Sequence, residues 1–431
     1  MKLLLVGGGA REHALAWKLC RERTVRELVC APGNAGIARL ARCVPLDVAD
    51  PGAILDAAAR EQVDFTVVGP ELPLARGVAD VFAAAGRPLF GPRKAAARLE
   101  SSKVFAKRFM ERHRIPTARF RVCETPADAL AAVGGGEFGF PVVVKADGLA
   151  AGKGVTVAPD RETAEAAVRA AMVDGRFGAA GASLVIEECL TGDEASFFVL
   201  CDGRRGVALP SAQDHKRALD GDRGPNTGGM GAFAPSPLVS PALAGRVMAD
   251  IVQPVLDGLR SEGQEYRGVL YVGLMLTRDG PQVIEFNVRF GDPEAQVVLP
   301  MIETDLAPVL FSAATGDLGA AESRTAGDPH VGVVVASGGY PGAFETGYEI
   351  DGLDAAEALP GVVVFHAGSG LRDGRIVTSG GRVLTVVGRG GTFAEARVRA
   401  YEAAACISFP HKHVRTDIGM KALAAVDDGA A

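Results

Sequence analysis

The sequence predicts an α/β and α+β multidomain chain: an N-terminal doubly wound parallel sheet, a central clamp of two subdomains, and a small C-terminal α+β domain. Short apolar runs alternate with helical patterns over residues 1–100, the rhythm of βαβ units. Apolar, β-branched runs flank a glycine-rich turn within 140–160, and the helical stretch "RETAEAAVRAAM" follows, which reads as a small α+β unit. A further set of apolar runs, "HVGVVVASGGYPG" and "GGRVLTVVG", starts after a low-complexity bridge around 314–328. At 431 residues and 48% hydrophobic content the chain exceeds one small core. Domains are therefore expected at 1–100, 101–325 with a mobile flap over about 120–190, and 328–431.

Taken in order, the first domain reads as "KLLLVG", a helix from about Glu12, "ELVCAPG", a helix near 52–60, "VDFTVVGPE", a helix near 75–85 and "PLFGP". Ligands of such sheets sit at the carboxyl ends of the strands, here Gly7–Gly9, Pro32–Gly36 and Gly69–Glu71. "GGGAREH" is not a dinucleotide fingerprint, because Glu12 takes the third glycine position and "VCAPG" ends without an acid for a ribose. A phosphate at the N-terminus of the first helix, near Gly9, is the expectation instead. From 101, "SSKVFAKRFMERHRIP" reads as a helix stopped before Pro116. After the strands "SLVIEECL", "EASFFVLCD" and "RGVALPSAQ" comes "DHKRALDGDRGPNTGGMGAFAPSP", expected as a long functional loop. A helix near 241–261 then leads to "GVLYVGLML" and "QVIEFNVRF", and the last helix is expected near 392–405.

Composition narrows the function. The net charge of -6 and the lack of a long basic block argue against nucleic acid and membrane surfaces, leaving small molecules as partners. "MKLLLVGGGAREH" is a strand and turn rather than a signal peptide, so a cytoplasmic location is expected. The seven cysteines contain no C-x-x-C pair and imply neither zinc nor a disulfide framework. His411-x-His413 reads as a solvated pair. Only ten of the 46 basic residues are lysine and only three residues are asparagine, so Lys103, Lys145, Lys153, Lys216, Asn34, Asn226 and Asn287 stand out.

"FPVVVKADGLAAGKGVTVAPD" contains Gly152-Lys153, as a P-loop would, but the spacing from Gly148, Gly154 after the lysine and the strand "VTVAP" all exclude that motif. It reads as a hairpin with Lys145 at its base and a cationic tip of Gly152, Lys153 and Gly154, suited to covering a polyphosphate. On "QVIEFNVRF", Glu285, Asn287 and Arg289 alternate onto one face, which Val283 would share if the strand begins earlier, with Ile284, Phe286 and Val288 facing the core. A carboxylate beside an amide oxygen offers hard ligands to Mg2+, and Arg289 offers a two-pronged grip on a phosphoryl or carboxylate group. In "VIEECLTGDEAS" the exposed edge of a strand at Glu187, Glu188 and Leu190 would bind a nucleotide base through its backbone, with Glu194 on the ribose.

The order Lys103, Lys145 hairpin, Glu187 edge and Glu285/Asn287 pair resembles the ATP-grasp superfamily, in which two α+β subdomains clamp ATP. "AREHALAWKL", "APGNAG", "GPELPL", "KADGLAAGKGV", "QDHKR", "GPNTGGMGA", "EFNVRFGDPE", "GGYPG" and "GGRVL" further resemble the phosphoribosylamine-glycine ligase family from Met1 to about Gly419. Ala10 and Ala295 stand where that pattern has glycine and, frequently, threonine; neither removes a charged or metal-binding group. The resemblance implies a monomeric enzyme of purine synthesis that uses ATP and Mg2+ or Mn2+ to join glycine to 5-phosphoribosylamine through glycyl phosphate. It further implies that Lys103, Lys145 and Lys153 hold the triphosphate, that Glu285 and Asn287 bind the metal, and that Arg289, Lys145 and Asp214 serve catalysis. Lys216, Asn226, Thr227 and Gly228 would close over glycine and the amine. Gly9, Arg11, Asn34, Glu71 and Asp292 would face the sugar substrate, with Arg382 as a second anchor. A carboxylase-type ligase acting on bicarbonate is the nearest rival, and a nucleotide-binding regulator without turnover is the rival from another class.

Overall fold

Five parallel strands, in the order Arg42–Cys43, Glu27–Pro32, Lys2–Gly7, Phe65–Val68 and Leu89–Phe90, form the N-terminal sheet of the computed structural model, which describes residues 1–149 and 154–429. The runs Leu3–Val6 and Phe65–Val68 are buried on both faces, as a parallel sheet between helices requires. Helix Pro51–Arg60 starts where Asp50 accepts from the N–H groups of Gly52 and Ala53 and proline occupies the first turn. The strand order reverses between Lys2–Gly7 and Phe65–Val68, so Gly7–Gly9 and Gly69–Glu71 meet at the switch point. Glu12 fills that corner. Its Oε2 accepts from the Gly9 N–H at 2.6 Å, and a Cβ on Gly69 would lie 2.1 Å from its Oε1. The helix terminus expected to take a phosphate near Gly9 is thus already met by a carboxylate of the chain itself.

Four antiparallel strands make the small sheet, in the order Phe120–Cys123, Leu184–Glu188, Val142–Ala146 and Val155–Ala158. Val142, Val144 and Ala146 alternate onto a core with Leu184, Ile186, Ala164 and Val168, while Val143 and Lys145 point the other way, into the cleft. That core is closed on itself: every buried residue in it lies between Cys123 and Ile186. The Leu184–Glu188 strand corrects the sequence reading. It lies between two partners, and the Glu188 N–H donates to the Arg119 carbonyl, so its Glu187–Glu188 stretch is no exposed edge.

The central sheet runs Gly206–Ala208, Asp193–Asp202, Arg267–Thr277, Gly280–Asn287. It packs against the helices Pro241–Val247 and Gln253–Ser261, which a π-helical turn at Met248–Val252 joins. Opposite Gly273 and Leu274 the pairing skips from Glu285 to Val283, leaving Ile284 as an extra residue. This bulge overturns part of the expected alternation: Val283 is buried in the core, whereas Ile284 lines the cleft beside Glu285. Phe286 and Val288 do enter the core, and Arg289 lies past the strand end at Asn287.

The C-terminal sheet contains Gln213–Asp214, Gly231–Ala234, His330–Ser337, Arg382–Arg389 and Val362–His366, with helix Phe393–Cys406 packed on it. The first two strands come from the stretch expected as a long loop, so this sheet crosses position 328. Its short runs carry only two to four residues each, too few for a period to show in sequence. Between them, Arg217–Leu219 and Arg223–Asn226 pair as a separate hairpin. Among the described residues no helix is long and apolar enough to cross a membrane.

Candidate functional site

A cleft of about 740 Å³ opens between the small sheet, the central sheet and the C-terminal sheet. Most of the residues singled out from sequence line it: Lys103, Lys145, Gly154, Glu187, Glu188, Leu190 and Glu194 toward the small sheet, Glu285, Asn287 and Arg289 on the floor. Asp214, Lys216, Asn226, Thr227, Gly228, Arg11, Glu71, Asp292 and Arg382 complete the lining. Gly152 and Lys153 lie outside the described residues.

On the small-sheet wall, lysines surround one carboxylate. Lys145 reaches Glu187 and donates to the Ile284 carbonyl at 3.1 Å. Lys107 Nζ sits 2.5 Å from the other Glu187 oxygen and 2.7 Å from the Thr117 hydroxyl. Burial lowers the Lys107 ammonium to about 8 against the pull of Glu187. Two lysines on one buried carboxylate leave a surplus positive charge facing the cleft, the arrangement an incoming polyanion would neutralise. Lys107 was missed in sequence, although it lies four residues after Lys103 and so shares its helix face. Lys103 donates to the Gly148 carbonyl at 2.6 Å, and burial lowers its pKa despite Glu285 and Glu100. Glu188 is taken by Arg119 through the backbone N–H at 2.9 Å and Nε at 2.7 Å, and free backbone begins only where the chain leaves the sheet toward Leu190.

On the floor, Glu285 and Asn287 are adjacent, with the Asn287 amide 3.4 Å from Glu285 Oε1. Burial pushes the Glu285 carboxyl up, but Lys216, Lys145 and Lys103 together hold it below the usual range, so it is ionised. Arg289 Nη2 donates to Asn287 Oδ1 at 3.1 Å and pairs with Glu100 at 2.9 Å, while Nη1 donates to the Phe290 carbonyl. Its Nε is buried without a hydrogen-bond partner, 3.4 Å from Glu71. Glu100, absent from the sequence reading, also accepts from the Val288 N–H at 2.7 Å and so fixes the chain just past the metal-type pair. Arg11 is held by Glu12 at 2.7 Å and by the Phe290 carbonyl.

The third wall belongs to the C-terminal sheet. Burial pushes the Asp214 carboxyl up to about 7 despite Lys216, with Glu294, Glu194 and Glu285 adding to the rise. Lys216 Nζ pairs with Glu194 at 2.7 Å, so these residues, expected on different ligands, hold each other. Glu294 accepts from Tyr271 at 2.8 Å and Ser196 at 3.1 Å. Arg382 donates to the carbonyls of Gly228 at 2.6 Å and Asp292 at 2.8 Å and pairs with the Asp292 carboxylate at 3.3 Å. It clamps the glycine loop onto the 291–293 turn, and the Gly228 N–H donates to Tyr340. The Thr227 hydroxyl is spent inside the loop, between the Lys216 carbonyl and the Gly229 N–H.

Two expected substrate contacts do not line the cleft. Asn34 gives its amide to the carbonyls of Gly8 and His366 and its oxygen to the N–H groups of Gly36 and Ile37, so it ties the first domain to the last. Gly9 is occupied by Glu12 as described. Among the described residues no group of three or more His, Cys, Asp or Glu is placed to hold a metal.

Family models cover most of the chain: phosphoribosylglycinamide synthetase N domain over residues 1–100, ATP-grasp (A) domain over 101–295, and C domain over 330–421. The chain is 48% identical to a phosphoribosylamine–glycine ligase of Agrobacterium fabrum and 49% identical to that of Allochromatium vinosum; each alignment spans 98% of this chain and 99% of the relative. The crystal structure of the Thermotoga maritima phosphoribosylamine–glycine ligase superposes with a TM-score of 0.84 at 35% identity, covering 97% of this chain and 100% of that one. A biotin carboxylase domain from Hydrogenobacter thermophilus shares the fold, with a TM-score of 0.71 at 17% identity over 96% of this chain and 91% of that one. On these matches the chain belongs to the phosphoribosylglycinamide synthetase family.

Proposed function

We propose that this chain is an ATP-dependent ligase that joins glycine to 5-phosphoribosylamine, giving glycinamide ribonucleotide, ADP and phosphate in purine synthesis. The observation that carries this reading is the cleft itself, where surplus lysine charge on one wall faces an ionised Glu285 beside Asn287, and the floor runs on to a glycine loop. A carboxylate does not acylate an amine at neutral pH, because its oxide is a very poor leaving group. Phosphorylation of glycine by ATP supplies a leaving group, and that transfer depends on positioning and charge neutralisation. Lys103 and Lys145, both lining the cleft, would meet the phosphates, with Lys107 and Glu187 setting where the Lys145 ammonium lies.

The Glu285 and Asn287 oxygens fit a hard divalent cation, since one is ionised and the set contributes too few ligands to complete a shell without phosphate and water. Mg2+ or Mn2+ bound there would neutralise phosphate oxygens. Arg289, anchored by Glu100, stabilises charge on the transferring group through its remaining N–H groups. Closure of the cleft walls would exclude water from the acyl phosphate, and Gly228, which lines the cleft, adds no side chain beside the small amino acid. Asp214, poised near neutrality, accepts a proton from the attacking amine.

ADP release by the purified protein tests the reading. Formation should require both glycine and 5-phosphoribosylamine, fall sharply with alanine in place of glycine, and be absent with bicarbonate. ADP formed with bicarbonate and a purine precursor, but not with glycine and the amine, would overturn it in favour of a carboxylase-type enzyme.

A further inference from the structure

The hairpin of residues 217–226 is an excursion from the cleft wall. It is closed at its base by Thr227, whose N–H and hydroxyl both donate to the Lys216 carbonyl, at 2.8 and 2.9 Å. Its strands pair only with each other, outside the C-terminal sheet. Yet Arg217, Asp222 and Asn226 line the cleft, so the position of this hairpin shapes the opening beside the glycine loop.

Among the described residues, every hydrogen bond and ion pair from 217–226 to the rest of the chain ends on the segment 413–421. Arg415 Nη1 donates to the Arg217 carbonyl at 2.9 Å and to Asp222 at 3.0 Å, and Asp417 holds the rest of the guanidinium at 2.7–2.8 Å. Asp417 also accepts from the Gly221 N–H at 2.8 Å. Asp220 accepts from the Thr416 N–H at 2.8 Å and its hydroxyl at 2.6 Å, His413 meets the Ala218 carbonyl at 2.8 Å, and Lys421 pairs with Asp222 at 2.7 Å. Strand, turn and loop are each tied. The Arg415 side chain is only 1% exposed, so the guanidinium end of these bonds is held out of water even though its partner Asp222 is exposed.

We propose that Arg415 is a positioning residue for the acceptor side of the cleft: it clasps the 217–226 hairpin and so fixes Asn226 and the glycine loop where the small amino acid binds. Resting on the ligase reading above, this assigns a role in substrate selection to a segment far in sequence from the floor. Arg is suited to it because one planar guanidinium reaches a backbone carbonyl and two carboxylates at once, which a lysine does not.

The experiment is a steady-state comparison of Arg415→Met and Asp222→Asn with the parent enzyme, paired with hydrogen exchange of residues 218–226. Asp222 is solvent-exposed and its φ of 52° suits asparagine, so the second variant folds even where the first does not. Arg415→Met should raise the KM for glycine about tenfold and Asp222→Asn about threefold, with the KM for ATP within about twofold and faster exchange in the hairpin. A KM for glycine that stays at the parent value in both variants, or a KM for ATP that rises in step with it, would overturn the proposal. A parent enzyme without glycine-dependent ADP release would instead refute the ligase reading. The exchange measurement then still decides the clasp, because unchanged protection in both variants would refute it.

Discussion

The two side walls of the cleft are built in different ways. The wall with Lys145 and Glu187 stands on a small sheet whose core, from Cys123 to Ile186, is its own. The wall with Asp214 and Lys216 is continuous with the C-terminal sheet and is braced by Arg382 from one side and Arg415 from the other. An autonomous core joined to the rest by a few polar contacts can shift as a body, whereas a wall that shares a sheet with another domain cannot. On the ligase reading proposed above, the nucleotide side would change position and the acceptor side would serve as the fixed template.

The floor between the walls serves both, so its loss should cost most. Glu285→Gln should lower kcat by about 10³ or more, with little change in thermal unfolding because the side chain faces the cleft. Turnover and a melting curve on the same preparation check this. Near-normal turnover would remove the floor from the chemistry. On the nucleotide wall, Lys145→Met should raise the KM for ATP and lower kcat, together costing about 10² in kcat/KM, while the KM for glycine stays put. Equal effects on both substrates would erase the distinction between the walls.

Asp214 sharpens the other side. With its carboxyl near 7, kcat should rise through neutrality on the acid limb of the pH profile; Asp214→Asn should lower kcat about tenfold and flatten that limb. An unchanged limb in the variant would assign it elsewhere. The smallest effect on turnover is expected away from both walls, at the contact between the first and last domains, where the change is in stability. His13 Nδ1 accepts the His366 N–H at 2.8 Å, and burial, then His366, hold its pKa at about 3. A base with a depressed folded pKa contributes stability above its ordinary 6.5 that is lost as pH falls from there toward 3. Acidification from about pH 6.5 to 5 should therefore cost about 2 kcal/mol through this group. His13→Asn, which keeps an acceptor but does not titrate, should lose correspondingly less, as denaturant melts at the two pH values would show.

What the sequence made legible follows its periodicities. Long apolar runs such as Leu3–Val6 and His330–Ser337 announced their strands, and Lys145, Glu285 and Asn287 were found because strand alternation places them. The bulge at Ile284 was hidden, since a residue added to one strand leaves no trace in its composition. The strands Gln213–Asp214 and Gly231–Ala234 were hidden because the first pairs with the second across a charged, glycine-rich stretch, and the second joins the sheet through residues about a hundred positions further on. Asn34 was misread for a related reason. Its side chain looked free to bind a ligand until His366, brought in by the last domain, appeared as its partner. Glu100 acts through Arg289, distant in sequence, so nothing local marked it, whereas Lys107 was marked only by its spacing of four from Lys103 and acquires its role from Glu187.

The central claim, a moving nucleotide wall against a fixed acceptor wall, is tested most directly by hydrogen exchange with and without Mg2+ and a non-hydrolysable ATP analogue. The account predicts increased protection across the strands Val142–Ala146 and Val155–Ala158, with the strands Gln213–Asp214 and Gly231–Ala234 unchanged. Equal changes in both pairs of strands, or protection confined to the C-terminal sheet, would contradict it.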